Sequence, residues 1–377
     1  MNKSVCYLWL NLKDITADKK ARLISFFGDI EKVYSADAAD YRDTGFLSSE
    51  NIVLLSDKNT SFAEAEYKKC ADLGIEIITF DDSDYPPALA EIHDPPVLLY
   101  ARGDTSLLQN RLSFCFVGSR KCSEYGLTQT MKFATHLASR GFVIVSGCAL
   151  GIDSAAHKGA LVAHGKTIGV AGCGLDVDYP YGNRPLREDI AKNGLLISEF
   201  PLSTPAHSFN FPIRNRILSG LSLGVAVMEA GNRSGSLITA EYAISQNKDL
   251  YALPGNIDSI YSAGSNSLIH DGCEMLLDPD TIVSEYLERY SECFVPRDMP
   301  KEMTISETVE EIVMNPQNAL SDDEKGILRL LKKGEVHIDY IASALRLPTS
   351  KVMSLLTILQ IKKLVLETPG KYYKLYP

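Results

Sequence analysis

The sequence predicts a doubly wound α/β fold, a parallel sheet covered by helices on both faces. From Arg111 onward, short apolar runs alternate with helical segments. The runs (SFCFVGS, FVIVSG, TIGVAGCG, LLISEF, LGVAVMEA, DLYALPG) are apolar nearly throughout rather than at alternate positions, as in strands buried on both faces. Each then passes through a polar Gly- or Pro-rich turn into the next helical segment, the punctuation of successive strand-loop-helix units. Such a sheet is Rossmann-like, and its ligand site lies beyond the carboxyl ends of the strands.

Residues 1–80 read as a small helical domain, SAM-like or helix-hairpin-like. Helical periodicity runs through Lys19–Phe27, Glu31–Tyr34, Ala36–Tyr41 and Phe62–Leu73, with punctuation at Gly28 and Gly45. Short helices paired at glycine serve nucleic-acid-binding modules and plain bundles alike, and both readings stay open. Two Pro-Pro pairs force extended backbone in Ile78–Asp104, which reads as a strap onto the next domain. The α/β domain covers 81–290, with helical segments at Tyr125–Arg140, Ser154–His164, Leu186–Lys192, Asn215–Leu221, Leu237–Gln246 and Asn266–Asp271. Residues 291–320 are acidic and irregular, a linker with one short helix at Ser306–Met314. Residues 321–377 read as a winged helix-turn-helix. Ser321 and Glu324 make a capping box for a helix Asp322–Lys333, helices Asp339–Leu345 and Lys351–Ile361 follow, and a hairpin turns at Pro369-Gly370. Thr349 or Ser350 caps the third helix. Ten Lys/Arg against six Asp/Glu make this segment locally basic. Its recognition helix, KVMSLLTILQI, is too apolar to read many base edges, so DNA binding and protein docking both remain open.

Composition narrows the function. The 377 residues are 45% hydrophobic and 23% charged, enough for two or three domains with a sizeable core. No apolar run approaches the roughly 20 residues of a membrane span, and the N-terminus has no signal-peptide pattern. The eight cysteines form no CxxC pairs, which argues against a disulfide framework or a zinc site and fits a reducing cytoplasm. A net charge of −10 gives no bulk attraction to nucleic acid, so any such binding needs a local basic patch.

The stretch Phe209–Ala243 supplies one. Arg214, Asn215 and Arg216 stand at an expected helix start, and after the run LGVAVMEA the loop Gly231–Ser236 opens another helix. Gly and Ser at a strand-to-helix junction let backbone N–H groups approach an anion, and Arg adds planar phosphate donors. The other strand-end loops belong to the same crevice: Gly118-Ser119-Arg120-Lys121, Ser146 to Asp153, Gly172-Cys173-Gly174, Pro201–Asn215 and Pro254-Gly255-Asn256. The candidate contacts are therefore Gly118, Ser119, Arg120, Lys121, Gly147, Gly151, Arg214, Asn215, Arg216, Ser234, Gly235 and Ser236. No metal or nucleotide cofactor is required.

Other motifs carry less. GALVAHGKT resembles a Walker A loop but has one residue too many and runs helix-to-strand, so Gly165 reads as a helix C′ residue. GSRKCSEYG lacks the glycines of a dinucleotide fingerprint. Asp153 and His157, four apart, suit general-base chemistry, but Asp153 reads as an N-cap and His157 as a packed residue.

The ordered strings DYPPALAEIHDPPVLLYARGD, FVGSRKCSEYG, IVSGCALGIDSAAHKGAL, GKTIGVAGCGLDVDYP, FPIRNRILSGLS and VMEAGNRSGSLITAEYA resemble the DNA-processing protein A family (DprA, also Smf) over nearly the whole chain. The resemblance implies a non-enzymatic single-stranded DNA binder that protects incoming DNA and loads a RecA-type recombinase in natural transformation. It implies a homodimer formed through the Rossmann-like domain, with single-strand-binding protein as a further partner. Carried over, the DNA pocket uses Arg120 or Lys121 and a base contact at Phe211. Some members place a Lys shortly before that Phe, whereas this chain reads Ala206-His207-Ser208-Phe209. The alternative is a Rossmann-like nucleotide phosphoribohydrolase, with Glu229 and the SGSLIT loop imitating its phosphate site. Its PGGxGTxxE string is absent.

Overall fold

The computed structural model describes residues 2–294, 322–331, 334–345, 347, 349–361, 364–368 and 371–375. Contacts divide the chain into two compact units, Met1–Lys301 and Glu302–Pro377.

The first unit begins with six helices: α1 (Lys3–Asn11), α2 (Ala17–Phe27), α3 (Ile30–Ser35), α4 (Ala38–Asp43), α5 (Ser49–Ser56) and α6 (Ser61–Asp72). Helices α1 and α5 were not legible in the periodicity: Val5 to Leu10 are all buried, so α1 shows no polar face. Gly28 and Gly45 both take left-handed φ at helix ends. The strap Ile78–Asp104 is part of the sheet, with β1 (Glu76–Thr79), a turn of helix α7 (Pro87–Ala90) and β2 (Leu98–Gly103).

Then come β3 (Ser113–Val117), α8 (Glu124–Ser139), β4 (Val143–Gly147), α9 (Ile152–Val162), β5 (Lys166–Val170), α10 (Arg184–Asn193), β6 (Leu195–Ser198), α11 (Asn210–Gly220), β7 (Gly224–Val227), α12 (Gly235–Ser245), β8 (Asp249–Ala252), α13 (Ala263–His270), β9 (Glu274–Met275) and α14 (Pro279–Leu287). The sheet order is β1-β2-β6-β5-β4-β3-β7-β8-β9. Strands β3 to β9 are parallel, while β2 runs antiparallel to β6 and β1 antiparallel to β2. The doubly wound expectation holds, with two antiparallel strands added at one edge.

Alternate side chains of each strand feed opposite layers. Phe114, Phe116, Ile144 and Met228 pack with α8, α9 and α14. Cys115, Val117, Val145, Val170 and Val227 pack with α7, α11 and α12. A third apolar cluster, which includes the buried Trp9, joins the N-terminal helices to Leu98, Tyr100, Ile190 and Leu196. Trp9 donates its indole N–H to the Asp57 carbonyl at 2.9 Å, so its one polar group is satisfied.

The second unit holds α15 (Asp322–Leu331), β10 (Val336–His337), α16 (Ile338–Leu345), α17 (Thr349–Ile361), β11 (Val365–Thr368) and β12 (Tyr372–Leu375). The strands form a sheet in the order β10-β12-β11, all antiparallel, over Ile327, Ile341, Val352, Leu356 and Val365. This is the expected winged helix. Thr349 and Ser350 begin α17 rather than precede it. The capping residue Ser321, the turn Pro369-Gly370 and the segment Ser306–Met314 lie outside the described residues.

Candidate nucleic-acid interface

The spatial neighbours β3 and β7 are followed by helices that leave in opposite lateral senses, because the order reverses there. Their carboxyl ends open a crevice at this switch point, the general ligand position of such sheets. A cleft of about 620 Å3 lies there. Gly118 to Lys121 form one wall, Gly231 and Arg233 to Ser236 the opposite wall, and Phe211, Arg214 and Asn215 of α11 close it from above, with Val117, Leu218 and Thr239 also lining it.

Sterics fix the first wall. A Cβ on Gly118 would come within 2.5 Å of Ile152. Gly151 has φ +79°, where L side chains are disfavoured, and its Cβ would meet the Ser119 and Arg120 carbonyls at 2.5 and 2.6 Å. The Ser119 N–H donates to the Glu229 carbonyl at 2.8 Å. The Glu229 carboxylate accepts from the Ser123 N–H at 2.8 Å and the Ser123 hydroxyl at 2.5 Å. Both of its oxygens thus hold the start of α8.

The cations divide by burial. Arg120, Lys121 and Arg233 are exposed at the mouth. Arg120 lies over the Phe211 ring with its guanidinium carbon 4.6 Å from the centroid, and donates to Tyr179 Oη at 3.3 Å. Tyr179 packs against Phe211 at 5.6 Å, tilted by 32°. Arg214 is buried, donates to the Val170 carbonyl and to Asn215 Oδ1, and faces Asp153 across Gly147. Burial pushes the Asp153 carboxyl up against the pull of the Arg214 charge. Asn215 donates to the Gly235 carbonyl at 3.2 Å, tying α11 to the opposite wall. There Ser234 caps α12, a Cβ at Gly235 would meet open space, and the buried Thr239 hydroxyl has no partner.

Arg216 is elsewhere. Its side chain is 0% exposed, and it donates to both Glu199 oxygens at 2.6 and 2.7 Å and to the Asp94 carbonyl at 2.9 Å, with Asp94 Oδ2 3.0 Å from Nε. The sequence brings Gly118, Ser119, Arg120, Lys121, Phe211, Arg214, Asn215, Ser234, Gly235 and Ser236 to one cleft, while Gly147 and Gly151 stand behind its wall and Arg216 faces away. It missed Arg233, Tyr179 and Thr239; only Arg233 carried a signal, a cation inside a Gly/Ser loop.

Three local expectations are corrected. Helix α11 begins at Asn210, so Arg214 and Arg216 lie in its second turn and not at its start. The N-cap of α9 is Gly151; Asp153 is the second helical residue and accepts the Ala149 N–H at 3.2 Å. At the end of α9, His164 takes the left-handed φ of 51°, and Gly165 instead lets Ala138 approach its Cα. His157 is packed as expected, with Nε2 on the Gly147 carbonyl and Nδ1 on Thr167.

Fold and cleft together define an α/β protein with a cation-lined cleft at its switch point. Residues 76–287 match the family of DNA recombination-mediator protein A, and residues 314–371 match the DprA winged helix domain. The chain belongs to the DNA recombination-mediator protein A family. Protein Smf of Synechocystis is 36% identical over 79% of this chain and 80% of its own length. Protein Smf of Escherichia coli is 31% identical over 98% and 95%. The X-ray structure of DNA processing protein A from Streptococcus pneumoniae superimposes with a TM-score of 0.67 at 34% identity, covering 74% of this chain and 95% of that one. The Helicobacter pylori protein, whose structure is described as giving insight into a unique single-stranded DNA binding mode, has a TM-score of 0.52 at 34% identity, covering 57% and 97%. Among the described residues no helix is long and apolar enough to cross a membrane.

Proposed function

We propose that this chain is a DNA-processing protein of natural transformation that binds single-stranded DNA in the switch-point cleft, protects it and passes it to a RecA-type recombinase. The observation that carries this is the convergence of Arg120, Lys121 and Arg233 with the capped N-terminus of α12 in a cleft of a chain otherwise at net charge −10. Exposed cations and helix-end N–H groups neutralise phosphates without reading base edges, which suits sequence-tolerant strand binding. The membership of a recombination-mediator family and the described activity of the Helicobacter pylori relative support the same reading. The protein works as a cytoplasmic homodimer alongside single-strand-binding protein, and its part is binding rather than catalysis. The four segments 1–80, 81–290, 291–320 and 321–377 serve as helical cap, DNA-binding domain, linker and winged helix.

Fluorescence anisotropy with single- and double-stranded oligonucleotides across a salt series tests the proposal. Tighter, salt-dependent binding of the single strand is expected. Equal affinity for both forms, or none for either, overturns it.

A further inference from the structure

Phe211 lines the cleft with its ring against Arg120 at 4.6 Å and Tyr179 at 5.6 Å. Two residues earlier, Phe209 is 63% exposed. Its ring stacks on His207, with centroids 5.1 Å apart and only 12° between the planes. Ser208, between them, lines the cleft, so the stacked pair stands at its rim. The turn that carries the pair is braced by the buried Asn210, whose side-chain amide donates to the Gly172 and Pro205 carbonyls at 3.1 and 3.2 Å. Its backbone N–H donates to the His207 carbonyl at 3.0 Å.

We infer that His207 and Phe209 form a stacking platform for one nucleobase of the bound single strand, that of the nucleotide next to the one in the cleft. The inference rests on the cleft being the single-strand site. A phenyl ring this exposed leaves one aromatic face to water, and a base offers a flat surface of matching size. Stacking needs no base-edge match, so it keeps the binding sequence-tolerant. It also needs an unpaired base, which a duplex withholds, so the platform adds to discrimination that phosphate contacts alone do not provide. The parallel His207–Phe209 arrangement exists before DNA arrives, so little ordering is left to the binding step.

The test titrates the full-length wild type, Phe209→Ala, Phe209→Tyr and Arg120→Ala into oligo-dT and into the same strand carrying abasic sites, each across a salt series. Phe209→Ala should weaken oligo-dT binding roughly 5- to 150-fold and keep the wild-type salt slope, because it removes no phosphate contact. Phe209→Tyr should restore affinity, and on the abasic strand wild type and Phe209→Ala should bind alike. Unchanged thermal melting would show that the exposed side chain was not holding the fold. If Phe209→Ala binds oligo-dT as the wild type does, or loses the same factor on the abasic strand, the platform is wrong, while a loss confined to Arg120→Ala leaves the cleft standing. If the wild type itself shows no salt-dependent binding, the cleft reading falls and the platform with it.

Discussion

Arg214 and Arg216 stand two residues apart on α11, and two residues turn a helix by about 200°, so their side chains leave on opposite sides. One enters the cleft wall; the other is spent on Glu199 and Asp94. Replacing Arg216 with Ala strands two acidic groups beside a buried void and should lower the unfolding free energy by about 3–5 kcal/mol, read by urea denaturation. The molecules that remain folded should keep the wild-type salt slope for oligo-dT. Arg120→Ala should do the reverse, leaving stability nearly unchanged and lowering the log–log salt slope by about 0.7, the contribution of one phosphate contact on a single strand. His157 gives a third residue-scale outcome. Burial lowers its pKa to about 4, and the ring sits neutral between a carbonyl and a hydroxyl. The unfolded chain, with the ordinary value near 6.5, binds the extra proton first on acidification. This residue's stabilising effect is therefore complete above about pH 6.5 and falls by up to about 1.4 kcal/mol per pH unit down to about pH 4. Urea midpoints between pH 7 and 5 should show that slope, and His157→Gln should remove it.

Helix α9 and the loop after β3 are built closely against each other at the helix N-cap. At Gly151 a methyl group would need both a disfavoured φ and the space of the Ser119 and Arg120 carbonyls. Gly151→Ala should therefore cost about 1–3 kcal/mol and, by moving the Arg120 loop, weaken oligo-dT binding more than the stability loss accounts for; calorimetry and anisotropy on the same preparation would show both. At this scale the sequence was legible where one residue type decides. Apolar runs marked β3 to β8, and Gly or Ser at their ends marked the loops. It was illegible where a local rule has two outcomes. The expected loop Pro201–Asn215 took in the first turn of α11, whose third residue is Pro212, where a missing N–H leaves no helical bond unmade. The Pro-Pro pairs likewise suggested a strap. Helix α7 begins at Pro87 of the first pair, and the residues before and after the two pairs form β1, at the sheet's edge, and β2 beside it, where extended backbone is what the sheet needs.

Across the first unit, what made the cleft was the strand order, which no local pattern encodes. The order follows from α11 carrying the chain from β6 back across β5, β4 and β3 to β7, and this long return brings Phe211, Arg214 and Asn215 over the loops after β3 and β7. The second unit has its own apolar core, Ile327, Ile341, Val352, Leu356 and Val365 among it. Its helix α17 buries Val352, Leu356 and Leu359 and exposes Lys351 and Met353, with Lys351 held by Asp323 at 2.6 Å. Among the described side chains of that helix there is thus one cation, already paired, and no array of polar groups to read base edges. We propose that this helix docks a protein partner rather than reading base edges. A chain ending near Pro316 should stay folded, with cooperative melting of the α/β unit, because each unit has an apolar core of its own. It should bind short oligonucleotides with the affinity and salt slope of the full chain, while recombinase loading on coated single strands should fall. A loss of oligonucleotide affinity with the fold intact would instead make the winged helix a second DNA site, its Lys and Arg residues outside α17 supplying the phosphate contacts.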